Sequence, residues 1–87
     1  MTTYRAQVRV WLKPSVFDPQ GNAVEKALLT LGFAGIEEVR IGKSMEFLVT
    51  ADNQESAEAM VDRACRDVLC NPVMEMYTFT LEARQEA

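Results

Sequence analysis

Leu12-Lys13-Pro14-Ser15-Val16-Phe17-Asp18-Pro19-Gln20-Gly21 decides how this chain folds, because an alternating run ends inside it and a helix begins at its far side. Pro14 supplies no N–H and biases Lys13 away from the α region, so a strand reaching Lys13 gives way to loop. Asp18 before Pro19 has the form of a helix start. A short acceptor side chain caps free N–H groups there, and proline at the first helical position loses no needed donor. Strand, two-proline loop and capped helix make the first half of a βαβ-like unit.

Upstream, Tyr4, Ala6, Val8, Val10 and Leu12 alternate with Arg5, Gln7, Arg9, Trp11 and Lys13, which predicts a strand over 4–13 with one buried face. Downstream, Val24, Ala27, Leu28 and Leu31 follow helical spacing over 19–31, and Gly32 with Phe33 behind it reads as the C-terminal cap. Val39 and Ile41, then Met45, Phe47 and Val49, read as two strands within 36–50, joined by a type II′ turn at Gly42-Lys43. Asp52 and Glu55 resemble a capping box. The stripe Ala57, Met60, Val61, Ala64 and Val68 makes the second helix, which Asn71-Pro72 ends. A last strand is expected over 73–81.

The order β-α-β-β-α-β predicts an α+β fold, a ferredoxin-like βαββαβ two-layer sandwich. Two helices would cover one face of an antiparallel sheet of strand order 4-1-3-2. The face away from the helices then presents Trp11, Leu48, Met74 and Met76. Four large apolar groups there call for a cover, so a homodimer or higher oligomer is expected to form through them or through an open edge strand. A single domain spans 1–87, with an ordered core over 3–83 and a polar tail, 84–87, expected to fray.

The 87 residues carry nine Lys and Arg against thirteen Asp and Glu, a net charge of −4. Clustered basic residues are what phosphate backbones require, so nucleic acid is not an expected partner. The aromatic pair of a nucleic-acid-binding sheet is also incomplete, with Trp11 alone. No apolar run is long enough for a membrane span and no secretion signal is visible, so a cytoplasmic location is expected. In a regular helix Cys65 and Cys70 point well apart, which makes them free thiols. Histidine is absent. Chemistry by this chain alone would rest on carboxylates, Lys or Tyr, and no phosphate loop, metal-ligand pair or nucleophile elbow appears. Glu37-Glu38 reads as solvated loop, Asp52 with Glu55 as a helix cap, and Arg5 with Arg9 as an exposed face.

Leu12 to Val24 (Leu-Lys-Pro-Ser-Val-Phe-Asp-Pro-Gln-Gly-Asn-Ala-Val), Val39 to Lys43 (Val-Arg-Ile-Gly-Lys) and Asn71 to Val73 (Asn-Pro-Val) closely resemble, in order and spacing, the PurS family. PurS is the small subunit of phosphoribosylformylglycinamidine (FGAM) synthase. The likeness runs from Tyr4 to about Glu82. Ser15 stands where the family usually has glycine, and Met76 where an acidic residue is common. The resemblance implies a non-catalytic assembly subunit of purine biosynthesis. The complex converts formylglycinamide ribonucleotide, glutamine and ATP to formylglycinamidine ribonucleotide. A PurL-type synthetase holds ATP and Mg²⁺, a PurQ-type glutaminase releases ammonia, and PurS bridges them and helps organise ammonia transfer. The chain itself is then expected to hold no cofactor or metal, to have no catalytic residue, and to be inactive alone.

The expected partner-binding surface is the loop with Lys13, Phe17, Asp18 and Gln20 together with Lys43 of the nearby turn. Phe17 is a large apolar group in a polar turn, and the lysines can meet acidic partner surface. A small ligand-sensing, ACT-like regulatory module is the alternative. An acylphosphatase-like hydrolase is weaker, because two prolines occupy the place of its phosphate-cradling loop.

Overall fold

Alternation along the first strand gives a fully buried row, Tyr4, Ala6, Val8 and Val10, and the molecule is built outward from that row. The computed structural model describes residues 1–84. In chain order the elements are β1 (Thr2–Leu12), α1 (Pro19–Thr30), β2 (Gly42–Ala51), α2 (Gln54–Ala64) and β3 (Glu75–Ala83). The sheet is antiparallel with order β2-β1-β3. This is the α+β architecture and the strand neighbourhood expected, with two differences.

The first is that 36–41 is not a strand, so the sheet has three strands and no hairpin turn at Gly42-Lys43. Gly42 and Lys43 instead pair with Trp11 and Val10 inside the β1–β2 ladder. The donors a ladder would need are taken by carboxylates from the cap and the middle of the first helix. Val39 N–H donates to Glu25 Oε1 at 2.9 Å and Ile41 N–H to Asp18 Oδ2 at 2.7 Å. Glu38 also turns to a positive φ of 56°.

The second difference is that only α2 lies on the sheet. Ala57, Val61 and Cys65 are buried against β1 and β2, and Tyr77 of β3 donates its hydroxyl to Asp62 at 2.5 Å. α1 is well formed. Asp18 caps it, and Gly32 at φ 95° closes a Schellman motif in which Phe33 N–H donates to the Leu28 carbonyl at 3.0 Å. Yet it forms no layer on the sheet, and Gly21 is its one buried residue.

Smaller shifts have local causes. Asn53, not Asp52, caps α2, accepting from Ser56 N–H at 2.8 Å. α2 runs on into a π-turn, Cys65–Leu69, closed by Cys70 N–H to the Cys65 carbonyl at 2.9 Å. The extra residue in that turn buries Cys65 and Cys70 and leaves Val68 79% exposed. The angular spacing argued for the two cysteines therefore does not apply across it, although both thiols are free. β3 starts at Glu75 because Asn71 holds a turn: its carbonyl accepts from Met74 and Glu75, and its side chain from Val73. At the other end β3 runs to Ala83, and Arg84 still donates to the Thr3 carbonyl at 2.8 Å; the rest of the expected tail, 85–87, lies outside the described residues.

The Tyr77–Asp62 contact gives the fold an alkaline signature. The hydrogen bond to Asp62, burial and the Asp62 charge push the Tyr77 phenol up to about 12. A phenol raised in the folded state contributes stability that is complete below its unfolded value of about 10 and is lost as pH rises through the folded value. Melting temperature followed from pH 8 to 12 is expected to fall steeply above about pH 10, and Tyr77→Phe to start lower and show a shallower fall. Parallel curves for the two proteins would rule the contact out.

Candidate protein-protein interface

One end of the sheet gathers the exit of β1, the start of α1, the crossing segment 38–41 and the turn before β3. Lys13 N–H donates to the Met74 carbonyl at 2.9 Å, adding one rung to the β1–β3 ladder. Its carbonyl accepts from Val16 N–H at 2.9 Å, closing a turn around Pro14. Arg40 pins that turn: one guanidinium nitrogen, Nη2, donates to the Lys13 carbonyl at 2.9 Å and to the Val16 carbonyl at 2.8 Å. Phe17 is held at the tip, 69% exposed.

Asp18 has a structural role. Only 5% exposed, it accepts from Gly21 N–H with Oδ1 at 2.9 Å and from Ile41 N–H with Oδ2 at 2.7 Å. The Ile41 and then the Gly21 hydrogen bond hold its carboxyl below the usual carboxylate range. It clamps helix start to crossing segment, so the side chain is turned inward, away from any partner. Gly21 lets that clamp close, since a Cβ there would stand 2.2 Å from the Val39 carbonyl oxygen.

Between these parts lies an open cleft of about 350 Å³, walled by Trp11, Leu12, Pro14, Phe17, Val39 and Arg40. Around its other side, Gln20 and Lys43 line a second cleft with Ile41 and Glu75. Lys43 is exposed and faces Glu75 at 3.9 Å; Glu75 is largely covered and its other oxygen accepts from Asn71 N–H, so this long contact leaves the exposed ammonium most of its freedom for another carboxylate. Of the expected partner-facing residues, Lys13, Phe17, Gln20 and Lys43 thus share one end of the molecule.

The expected self-association set divides. Trp11 stands opposite Met76 in the β1–β3 register, with Met74 just beyond, and the Arg9 guanidinium lies over the indole at 5.5 Å. Leu48 stands opposite Arg5, six residues along β1 from Trp11, which is about 20 Å at strand spacing. The outer face between them carries Gln7, Arg9, Ser44, Glu46, Thr78 and Thr80, and Arg5 pairs with Glu46 at 2.6 Å. The apolar patch is therefore a corner, Trp11-Met74-Met76, continuous with the Phe17 cleft. Arg40 has no role in the sequence reading; its place inside the Val39–Lys43 motif was the available signal.

The family model for PurS, phosphoribosylformylglycinamidine (FGAM) synthase, matches residues 5–83. The FGAM synthase subunit PurS of Synechocystis sp. is 39% identical over 85 residues, 98% of this chain and 85% of that protein. Methanocaldococcus jannaschii PurS, described as one of the subunits of formylglycinamide ribonucleotide amidotransferase in the purine biosynthetic pathway, superposes with a TM-score of 0.83 at 32% identity, covering 94% of this chain and 99% of that one. A chain in the structure of PurLQS from Thermotoga maritima superposes with a TM-score of 0.86 at 32% identity, covering 94% and 100%.

Proposed function

Because this chain belongs to the PurS family of FGAM synthase, we propose that it joins a PurL-type synthetase to a PurQ-type glutaminase through the end of its sheet. It is a subunit of FGAM synthase, a glutamine-dependent ligase complex of purine biosynthesis. Its contribution is assembly, with ordering of the route ammonia takes between the two larger subunits. ATP and Mg²⁺ belong to the large subunit, and the complex works in the cytoplasm. The chain also self-associates. The likeness to a chain of PurLQS carries this reading, and it favours an assembly subunit over an ACT-like sensor.

The Phe17 tip supports the choice of surface. An exposed aromatic on a turn fixed by Pro14, Pro19 and Arg40 loses little entropy on docking, and flanking lysines steer an acidic partner. Phe17→Ala and Lys43→Glu are expected to keep the melting temperature within a few degrees of wild type. Each should weaken assembly with the two larger subunits and lower glutamine-dependent FGAM formation by ~10-fold or more. The chain alone serves as the blank, with no synthetase, ATPase or glutaminase turnover expected. Full activity of both variants in the reconstituted complex would move the interface elsewhere.

A further inference from the structure

On the β2 side of Trp11, away from Met74 and Met76, lies a cleft of about 320 Å³ lined by Arg9, Trp11, Arg40, Gly42 and Ser44. Gly42 stands opposite Trp11 in the ladder and carries no side chain, which leaves the space beside the indole open. Arg9 and Ser44 face each other across the same ladder, two residues further along on the same face. Arg40 enters from the crossing segment, two residues before Gly42.

Two guanidinium groups at one small cleft need an explanation in a chain of net charge −4. Among the described residues neither Arg9 nor Arg40 forms an ion pair, whereas Arg5, Arg63 and Arg66 do. The acids nearby are already engaged. Glu46, on the same face, is held by Arg5 at 2.6 Å, and Asp18 and Glu25 of the neighbouring cleft accept from backbone N–H groups. Both cations are also held in place. Arg40 spends Nη2 on the Lys13 and Val16 carbonyls, which fixes its plane and leaves Nε and Nη1 without a protein acceptor among the described residues. Arg9 lies over the indole at 5.5 Å, a contact that orients the guanidinium while its N–H edge stays free.

We infer that this cleft binds the phosphate of a small phosphate monoester, with Arg9, Arg40 and the Ser44 hydroxyl donating to its oxygens. A carboxylate is planar, carries one charge and is satisfied by a single guanidinium fork. Two cations and a hydroxyl arriving from separate strands instead match a group with three terminal oxygens and nearly two charges at neutral pH. The cleft walled by Trp11 and Phe17 adjoins this one through Trp11 and Arg40, so the organic part of the ligand has a place to enter. Glu38 lines that second cleft and disfavours a further anionic group there, which limits the ligand to one phosphate at one end.

Trp11 is the chain's one tryptophan, so its emission reports on the cleft directly. Titrated with ribose 5-phosphate in phosphate-free buffer, wild type is expected to show a saturable emission change, and none with ribose. Titration calorimetry should return the same dissociation constant. By calorimetry, Arg9→Gln should raise that constant at least ~10-fold and Ser44→Ala a few-fold, because hydrogen bonds to a charged donor exceed those from a neutral one. Both positions are exposed, and the melting temperatures of the variants are expected to match wild type. Inorganic phosphate should bind more weakly than ribose 5-phosphate; equal affinity would reduce the ligand to a free phosphate ion and overturn the monoester. The site itself is overturned by an absence of saturation up to about 10 mM, by Arg9→Gln binding at wild-type affinity, or by succinate binding as tightly as ribose 5-phosphate. These measurements use the chain alone, so their outcome is separate from that of the assembly experiments.

Discussion

Gly21→Ala is expected to lower the melting temperature by ~10 °C or more, the reverse of what the substitution does in an ordinary helix. Alanine normally stabilises a helical position over glycine by about 1 kcal/mol, so the sign of the change isolates the local geometry. At Gly21 the added carbon would stand 2.2 Å from the Val39 carbonyl oxygen and 2.8 Å from Asp18 Oδ2. Both neighbours are fixed. Val39 is held by Glu25, and Asp18 by its two backbone donors. Relief therefore requires opening the clamp, which strands a buried carboxylate and an N–H at once. The same variant should weaken assembly, since the Arg40-pinned turn is carried on the crossing segment that shifts. Thermal melts by circular dichroism decide it, and an unchanged or higher melting temperature would mean the helix start is not closed on 38–41.

Val61→Ala is expected to destabilise by roughly 2–3 kcal/mol, two buried carbons with the cavity they leave, and Val68→Ala by less than about 0.5 kcal/mol. Both valines belong to the apolar stripe read from the sequence, where nothing separates them. Val61 is 1% exposed between α2 and the sheet, whereas the π-turn carries Val68 into solvent. Urea denaturation at equal slopes measures the difference. Similar losses at the two positions would indicate a regular helix through Val68 and no π-turn.

The contrast shows what local sequence holds. β1, the Asp18-Pro19 start, the Gly32 stop and the two outer strand neighbours were all legible, because each is set by period or by the conformational limits of proline and glycine. The failures are non-local. Ile36 to Ile41 alternates like a strand, but its amide hydrogens are claimed by Glu25 and Asp18 from elements distant in sequence. α1 has as good an apolar row as α2, and periodicity records that a face wants cover without recording whose. The interface residues divide the same way. Phe17, Gln20 and Lys43 line adjoining clefts and Lys13 opens the turn that carries Phe17, although Lys43 lies in the β1–β2 ladder and not in the turn read for it. Asp18 turned out to be a clamp, Arg40 was missed, and Leu48 was misplaced because strand register cannot be counted without the partner strand.

The β1–β3 ladder has a bearing on how the chain reaches this structure. Its pairs run from Leu12 with Glu75 to Tyr4 with Ala83, separations of 63 and 79 residues. The central strand therefore completes its pairing only when the far end of the chain is available, and the loop entropy of that closure precedes the reward from contacts. Folding is slower than for a helix-rich domain of equal length. During synthesis β1 waits with one edge open and its apolar row bare until β3 emerges, the interval in which strand-edge aggregation competes. Arg5, Arg9 and Glu82, placed along or across that ladder, are the charges positioned to keep the waiting edge from recruiting another chain.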